Sequence, residues 1–151
     1  MKKGGRGLPW ETEEAKEFDD WFDLLDEDDK IQVIAAKDYL AEHGPAAKMP
    51  VSYPIKRPNA CGMKELRPGS KGRSELRALY AFDHRRKAIL LLGGDKAEVP
   101  GDWDAWYDRN VPIADRRFSE HVKEVKRKEA ELAEQAGTAA KLHRSHKRGR
   151  R

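Results

Sequence analysis

The chain holds one cysteine, Cys61, in 151 residues. Alone it can form no internal disulfide and cannot build a metal site. No apolar run approaches the roughly 20 residues that span a bilayer. The opening MKKGGRGLPW is basic with no apolar stretch behind it, which argues against a secretory signal. A cytoplasmic protein without membrane contact is the simplest expectation. Hydrophobic residues are scarce at 38 %, matched by 38 % charged residues, so a small core beneath much solvated surface is expected. There is no internal repeat. Gly93-Gly94-Asp95-Lys96 lacks the lysine and Ser/Thr spacing of a phosphate loop. Asp95 and Asp102 lack partners at metal-ligand spacing, so neither a metal nor another cofactor is expected.

Charge is plentiful and segregated. Residues 10–43 carry 13 acidic and 3 basic side chains, a net of −10. Residues 48–96 carry 12 basic and 4 acidic, a net of +8. Residues 121–151 carry 10 basic and 4 acidic, a net of +6. Either the basic parts meet a polyanion, or the segments neutralise each other within the fold.

The elements follow from periodicity. Residues 10–15, WETEEA, form a polar edge strand. Phe18, Trp21, Phe22 and Leu25 fall at i, i+3, i+4 and i+7, one face of a helix. A second helix starts at Asp28 or Asp29, with apolar Ile31, Val33, Ile34, Ala35, Tyr39 and Leu40. Gly44-Pro45 ends it, since glycine suits the left-handed position and proline cannot continue the helix. Residues 46–62, with Pro50, Pro54, Pro58 and Gly62, read as an extended loop. Strands at 63–67, 75–83 and 87–92 then make an antiparallel meander. The last is an almost continuous apolar run, as in a strand buried on both faces. A final helix begins near Asp102, with a possible break at Pro112, and ends near Gln135. Beyond Gly137 the basic KLHRSHKRGRR reads as disordered in isolation. The expected organisation is a flexible basic leader at 1–9, a domain at 10–122, and a helical extension with a basic disordered tail at 123–151. The fold class is α+β: a curved antiparallel sheet, two N-terminal helices on one face, the other face partly open, and a C-terminal helix.

Strand alternation selects the chemistry. Leu76, Ala78, Tyr80 and Phe82 share an apolar face toward the helices. Glu75, Arg77, Leu79, Ala81 and Asp83 share the other. An unpaired mid-strand arginine is costly to bury, so Arg77 pairs with a carboxylate or faces a cleft. If Leu66 points to the core, Glu65 and Arg67 join Arg77 on one face. Lys96 then bounds the cleft, and Trp106 and Tyr107 close it. The set suits RNA cleavage, and equally suits a Glu65–Arg77 cross-strand ion pair that only supports the sheet.

The segments FDDWFDLLDEDD, AAKDYLAEHGP, MKELRPG, RALYAFD, AILLLGGDK and WYDRNVPIAD, in this order over about residues 10–121, resemble the phage-type HigB branch of the RelE/ParE toxin superfamily. The resemblance implies a RelE-like microbial RNase toxin fold. It also implies an endoribonuclease that enters the ribosomal A site and cuts mRNA. A helix-turn-helix antitoxin would neutralise it, and operator DNA would be reached only through that antitoxin. By position Glu65 resembles the base, Arg67 and Arg77 the phosphate-binding arginines, Lys96 the basic residue closing the last strand, and Tyr107 a C-terminal aromatic. The polar first strand departs from the pattern, and the tail beyond about Val125 lies outside it.

Metal-free cleavage needs a base for the 2′-OH, cations for the phosphoryl oxygens and an acid for the 5′-oxygen. Glu65, Arg67, Arg77, Lys96 and Tyr107 are the catalytic candidates. Lys64, Lys71, Arg73 and Trp106 are the RNA-binding candidates. His84 falls in a tight turn, His121 on the last helix and His43 at a helix end, which disfavours a two-histidine mechanism. The expected function is a type II toxin, a ribosome-dependent mRNA endoribonuclease. The alternatives are a non-catalytic ParE-like gyrase-binding toxin and a detoxified phage-derived binding protein.

Overall fold

The structure, a computed structural model, describes residues 9–70, 72–98 and 102–148, with Trp103 and residues 146–148 described for the backbone only. It divides into two units, Met1–Phe118 and Ser119–Arg151.

In the first unit, α1 (Lys16–Asp23) carries the aromatic face expected of it. Phe18 is buried, and Trp21 and Phe22 pack around it. Helix α2 (Glu27–His43) starts one or two residues before the expected Asp28 or Asp29, because Asp26 caps it by accepting from the Asp29 amide at 2.8 Å. Gly44, at φ +58°, ends it; a side chain there would strike the Trp10 indole. Val33, Ala36, Leu40 and Ala41 face inward, whereas Ile31 and Ile34 are 52 % and 46 % exposed.

Five strands form one sheet in the order β1-β5-β4-β3-β2. They are β1 (Thr12–Glu14), β2 (Ser52–Pro54), β3 (Lys64–Leu66), β4 (Leu76–Phe82) and β5 (Ala88–Asp95). The sheet is mixed, correcting the expectation of an antiparallel one: β1 pairs parallel with β5, and the other pairs are antiparallel. Polar β1 holds its edge by charge. Glu13 pairs with Arg85 at 2.9 Å and Glu14 with Lys37 at 2.7 Å. Strand β2 lies within the segment read as a loop. Its prolines hide it in sequence, yet an edge strand tolerates Pro54. Its buried Ser52 hydroxyl is satisfied by the Tyr80 hydroxyl at 2.7 Å.

The alternation of β4 is as expected: Leu76, Ala78, Tyr80 and Phe82 pack with α1 and α2. The opposite face is covered too, rather than left partly open. There Met63, Leu79, Ile89, Leu91 and Leu92 pack against Trp106, Tyr107, Val111 and Ala114 of α3 (Trp103–Arg148). Consecutive Leu91 and Leu92 lie on one face because β5 has a bulge. Leu79 pairs with Leu92 and Tyr80 with Leu90, leaving Leu91 extra. Beyond the bulge the phase is inverted: Gly93 meets Trp21, and Gly94 meets Trp106.

Helix α3 runs through Pro112 without a break. It continues past Gln135, the expected end, as far as Arg148. The added stretch carries Ala136, Ala139, Ala140, Lys141, Leu142 and Arg144, which favour helix, and only Gly137 against it strongly. In the second unit Arg127 pairs with Glu124 and Glu131 on successive turns. No helix among the described residues is long and apolar enough to cross a membrane.

Candidate functional site

Strand β3 presents Glu65 on the face shared with α3, and β4 presents Arg77 beside it. Glu65 is 2 % exposed and its carboxylate carries three close donations. Arg67 donates to Oε2 through Nε at 3.1 Å and Nη2 at 2.8 Å. The Tyr107 hydroxyl donates to Oε1 at 2.8 Å. Arg77 Nε stands 3.7 Å from the same oxygen, too far for a hydrogen bond, and is buried without a hydrogen-bond partner. Its Nη1 donates to the Leu76 carbonyl at 2.8 Å, and its Nη2 is 3.8 Å from Glu75. The anticipated Glu65–Arg77 pair is therefore present as a charge contact, while the tight partners of Glu65 are Arg67 and Tyr107.

Lys96 reaches this face because of the bulge. Uninterrupted alternation from Leu90 would send Leu92, Gly94 and Lys96 toward α1 and α2. The extra residue redirects them to the α3 side. Lys96 Nζ lies 5.6 Å over the Tyr107 ring. Burial, and then the Arg77 charge, lower its pKa below the ordinary lysine value. Burial raises the Tyr107 pKa, and the hydrogen bond to Glu65 raises it further. Burial opposes the Arg67 charge, but the Glu65 hydrogen bond and charge outweigh it, so its pKa is raised. Arg67 also stacks 3.5 Å over the Tyr53 ring.

A cavity of about 580 Å³ opens onto this cluster, lined among others by Tyr53, Lys56, Arg57, Glu65, Arg67, Lys96, Asp104 and Tyr107. Four cations face two carboxylates there, a balance suited to an anion. Arg77 lies behind Glu65 rather than on the wall.

All five catalytic candidates, Glu65, Arg67, Arg77, Lys96 and Tyr107, thus meet in one place. The RNA-binding candidates do not. Trp106 is buried, packed on Gly94 and edge-on to Tyr107, so its ring is not offered to a base. Lys64 alternates with Glu65 and turns to the opposite face, its Nζ 3.5 Å from the Pro45 carbonyl. Arg73 is exposed ahead of β4. Lys71 lies outside the described residues.

Sequence reasoning passed over Tyr53 and Arg57, both in the segment read as a loop. Arg57 Nη2 donates to Asp104 at 2.7 Å and Nε to Asp108 at 3.2 Å, and its guanidinium lies 5.0 Å from the Tyr107 ring centre. The available signal was the pair Asp104 and Asp108 at i, i+4 on the final helix, needing a cation from elsewhere.

Among known proteins, the family model described as phage derived protein Gp49-like matches residues 20–119. The chain is 42 % identical over 111 residues to "Putative toxin HigB2" of Mycobacterium tuberculosis, covering 74 % of this chain and 54 % of that one. It is 46 % identical over 97 residues to "Putative toxin HigB3" of the same organism, covering 64 % of this chain and 80 % of that one. The chain thus spans about half the length of the first relative and four fifths of the second. The matched stretch contains β2 to β5, the start of α3 and every residue of the cluster around Glu65, which places the chain in the phage-derived Gp49-like family, among proteins of the HigB toxin type.

Proposed function

We propose that this chain is the toxin of a type II toxin–antitoxin pair and cuts mRNA on the ribosome. The observation that carries the reading is the convergence of Glu65, Arg67, Lys96 and Tyr107 at a cationic cavity, with Arg77 behind Glu65. The element order, a strand, two helices, a strand meander and a closing helix, supports a RelE-like fold. The family supports a helix-turn-helix antitoxin as partner, with operator DNA reached through it, and a cytoplasmic site of action.

The chemistry is transfer of a phosphodiester to its own 2′-oxygen. The 2′-oxygen bonds to phosphorus, the bond to the 5′-oxygen breaks, and a cyclic phosphate and a 5′-hydroxyl remain. Glu65 Oε1 accepts one hydrogen bond from Tyr107 and keeps acceptor capacity, so it takes the 2′-OH proton. Arg67, whose Nε and Nη2 hold Glu65, turns its remaining N–H groups and its charge to the phosphoryl oxygens, and Arg77 adds positive charge from behind Glu65. Lys96, whose proton is held less tightly than in free lysine, gives it to the 5′-oxygen. Tyr107 fixes the carboxylate. Dependence on the ribosome follows if the A site supplies the orientation of the mRNA strand.

Antitoxin-free protein added to a translating extract tests this. Translation should stop with mRNA cut within codons in the A site, and Glu65→Gln and Lys96→Ala should each lower the cutting rate at least 100-fold. Intact mRNA at protein levels that arrest translation would exclude the nuclease.

A further inference from the structure

Arg57 is held at the cavity by the carboxylates of Asp104 and Asp108, with a longer donation to the Asp104 carbonyl at 3.3 Å. Its side chain is 28 % exposed, whereas those of Asp104 and Asp108 are 81 % and 67 % exposed. Exposed carboxylates hold a guanidinium loosely, because water and salt screen the attraction. Their oxygens also occupy the positions that two phosphate oxygens would take against the same fork. The loop does not depend on these pairs alone. Asn59 Oδ1 accepts from the Met63 amide at 2.9 Å, and Asp115 accepts from the Ala60 amide at 3.1 Å. The guanidinium can therefore change partner while its backbone stays docked. Arg57 lines the same cavity as Glu65, Arg67 and Lys96, and exposed Lys56 lies beside it.

We propose that Arg57 is a phosphate ligand of this cavity, and that on binding it exchanges Asp104 and Asp108 for the phosphodiester neighbouring the one that is cut. The ligand class is single-stranded polyribonucleotide, and the proposal rests on the nuclease reading. Asp104 and Asp108 act as built-in competitors that hold the arginine over Tyr107 until a strand displaces them. They weaken binding of any strand too short to place a phosphate at Arg57.

Binding of a short, fully 2′-O-methylated single-stranded RNA, which cannot be cut by this route, measures the exchange by fluorescence anisotropy over a salt series. Arg57→Gln should weaken binding severalfold and reduce the salt slope by about one phosphate contact. Asp104→Asn with Asp108→Asn should tighten binding severalfold when Arg57 is present, and by less than twofold when residue 57 is glutamine. Simple loss of negative charge would tighten both backgrounds equally, which would overturn the proposal. So would an unchanged salt slope in Arg57→Gln, or weaker binding in the double Asn variant. Arg57→Lys keeps the charge but not the fork, and should bind between wild type and Arg57→Gln with an unaltered melting curve. Absence of binding by the wild-type chain would also overturn the proposal, while the translating-extract experiment decides separately whether the nuclease reading falls with it.

Discussion

Truncating Glu65 to alanine exposes how the cluster is held together. The carboxylate is 3 % exposed as a side chain, so its partners lose a buried counter-charge. They do not lose equally. Arg67 is 33 % exposed and is rehydrated from the cavity, so its share is on the order of 1 kcal/mol or less. Tyr107 loses a hydrogen bond to a charged acceptor, about 1.5–3 kcal/mol. Arg77, with its side chain 9 % exposed, keeps the Leu76 carbonyl and a distant Glu75 while its Nε still lacks a hydrogen-bond partner. Breaking such a buried pair costs about 3–5 kcal/mol in all, a large share of the 5–15 kcal/mol typical of a domain. Urea unfolding followed by tryptophan fluorescence and circular dichroism should show this loss at unchanged m-value. The double variant Glu65→Ala with Arg77→Ala should recover about 1–3 kcal/mol against the sum of the single changes, since it leaves no orphaned charge. A cost below 1 kcal/mol for Glu65→Ala, or strictly additive single changes, would refute the account.

Three further outcomes are expected. Gly94→Ala puts a methyl group into the Trp106 indole, and should lower stability by about 1–3 kcal/mol in thermal or urea unfolding. Lys96→Met should raise stability near neutral pH, because the lowered pKa means the folded state holds that charge at a cost. The sign follows from linkage: as pH rises through the folded pKa toward the unfolded value of 10.5, wild type sheds the penalty and the advantage of the variant disappears. Urea midpoints of both proteins at pH 7 and pH 10 check this, and a constant difference would contradict it. Burial, with help from Asp115, pushes the Cys61 thiol up to about 12, so alkylation at pH 8 should be slow in the native chain and rapid in urea.

Local pattern was enough for much of this protein. The aromatic spacing of α1, the stop at Gly44-Pro45 and the period-two pattern of β4 each depend on neighbouring residues. Alternation alone also placed Glu65, Arg67 and Arg77 on one face, since β3 and β4 pair in plain antiparallel register.

Tertiary structure decided the rest, where a residue's role depends on something distant in the chain. Polar β1 becomes a strand because Lys37 and Arg85 meet its carboxylates. Proline-bearing β2 becomes one because an edge leaves Pro54 no hydrogen bond to lose. The bulge at Leu91, invisible in an apolar run, inverts the phase of β5, so that Lys96 faces Tyr107 instead of the opposite core. Trp106 could not be told from a base-stacking ring until Gly94 was seen beneath it. Arg57 gained its place only when α3 brought Asp104 and Asp108 to it. Sequence by itself determined which residues could share a face; the packing of β5 and α3 on that face decided which of them meet.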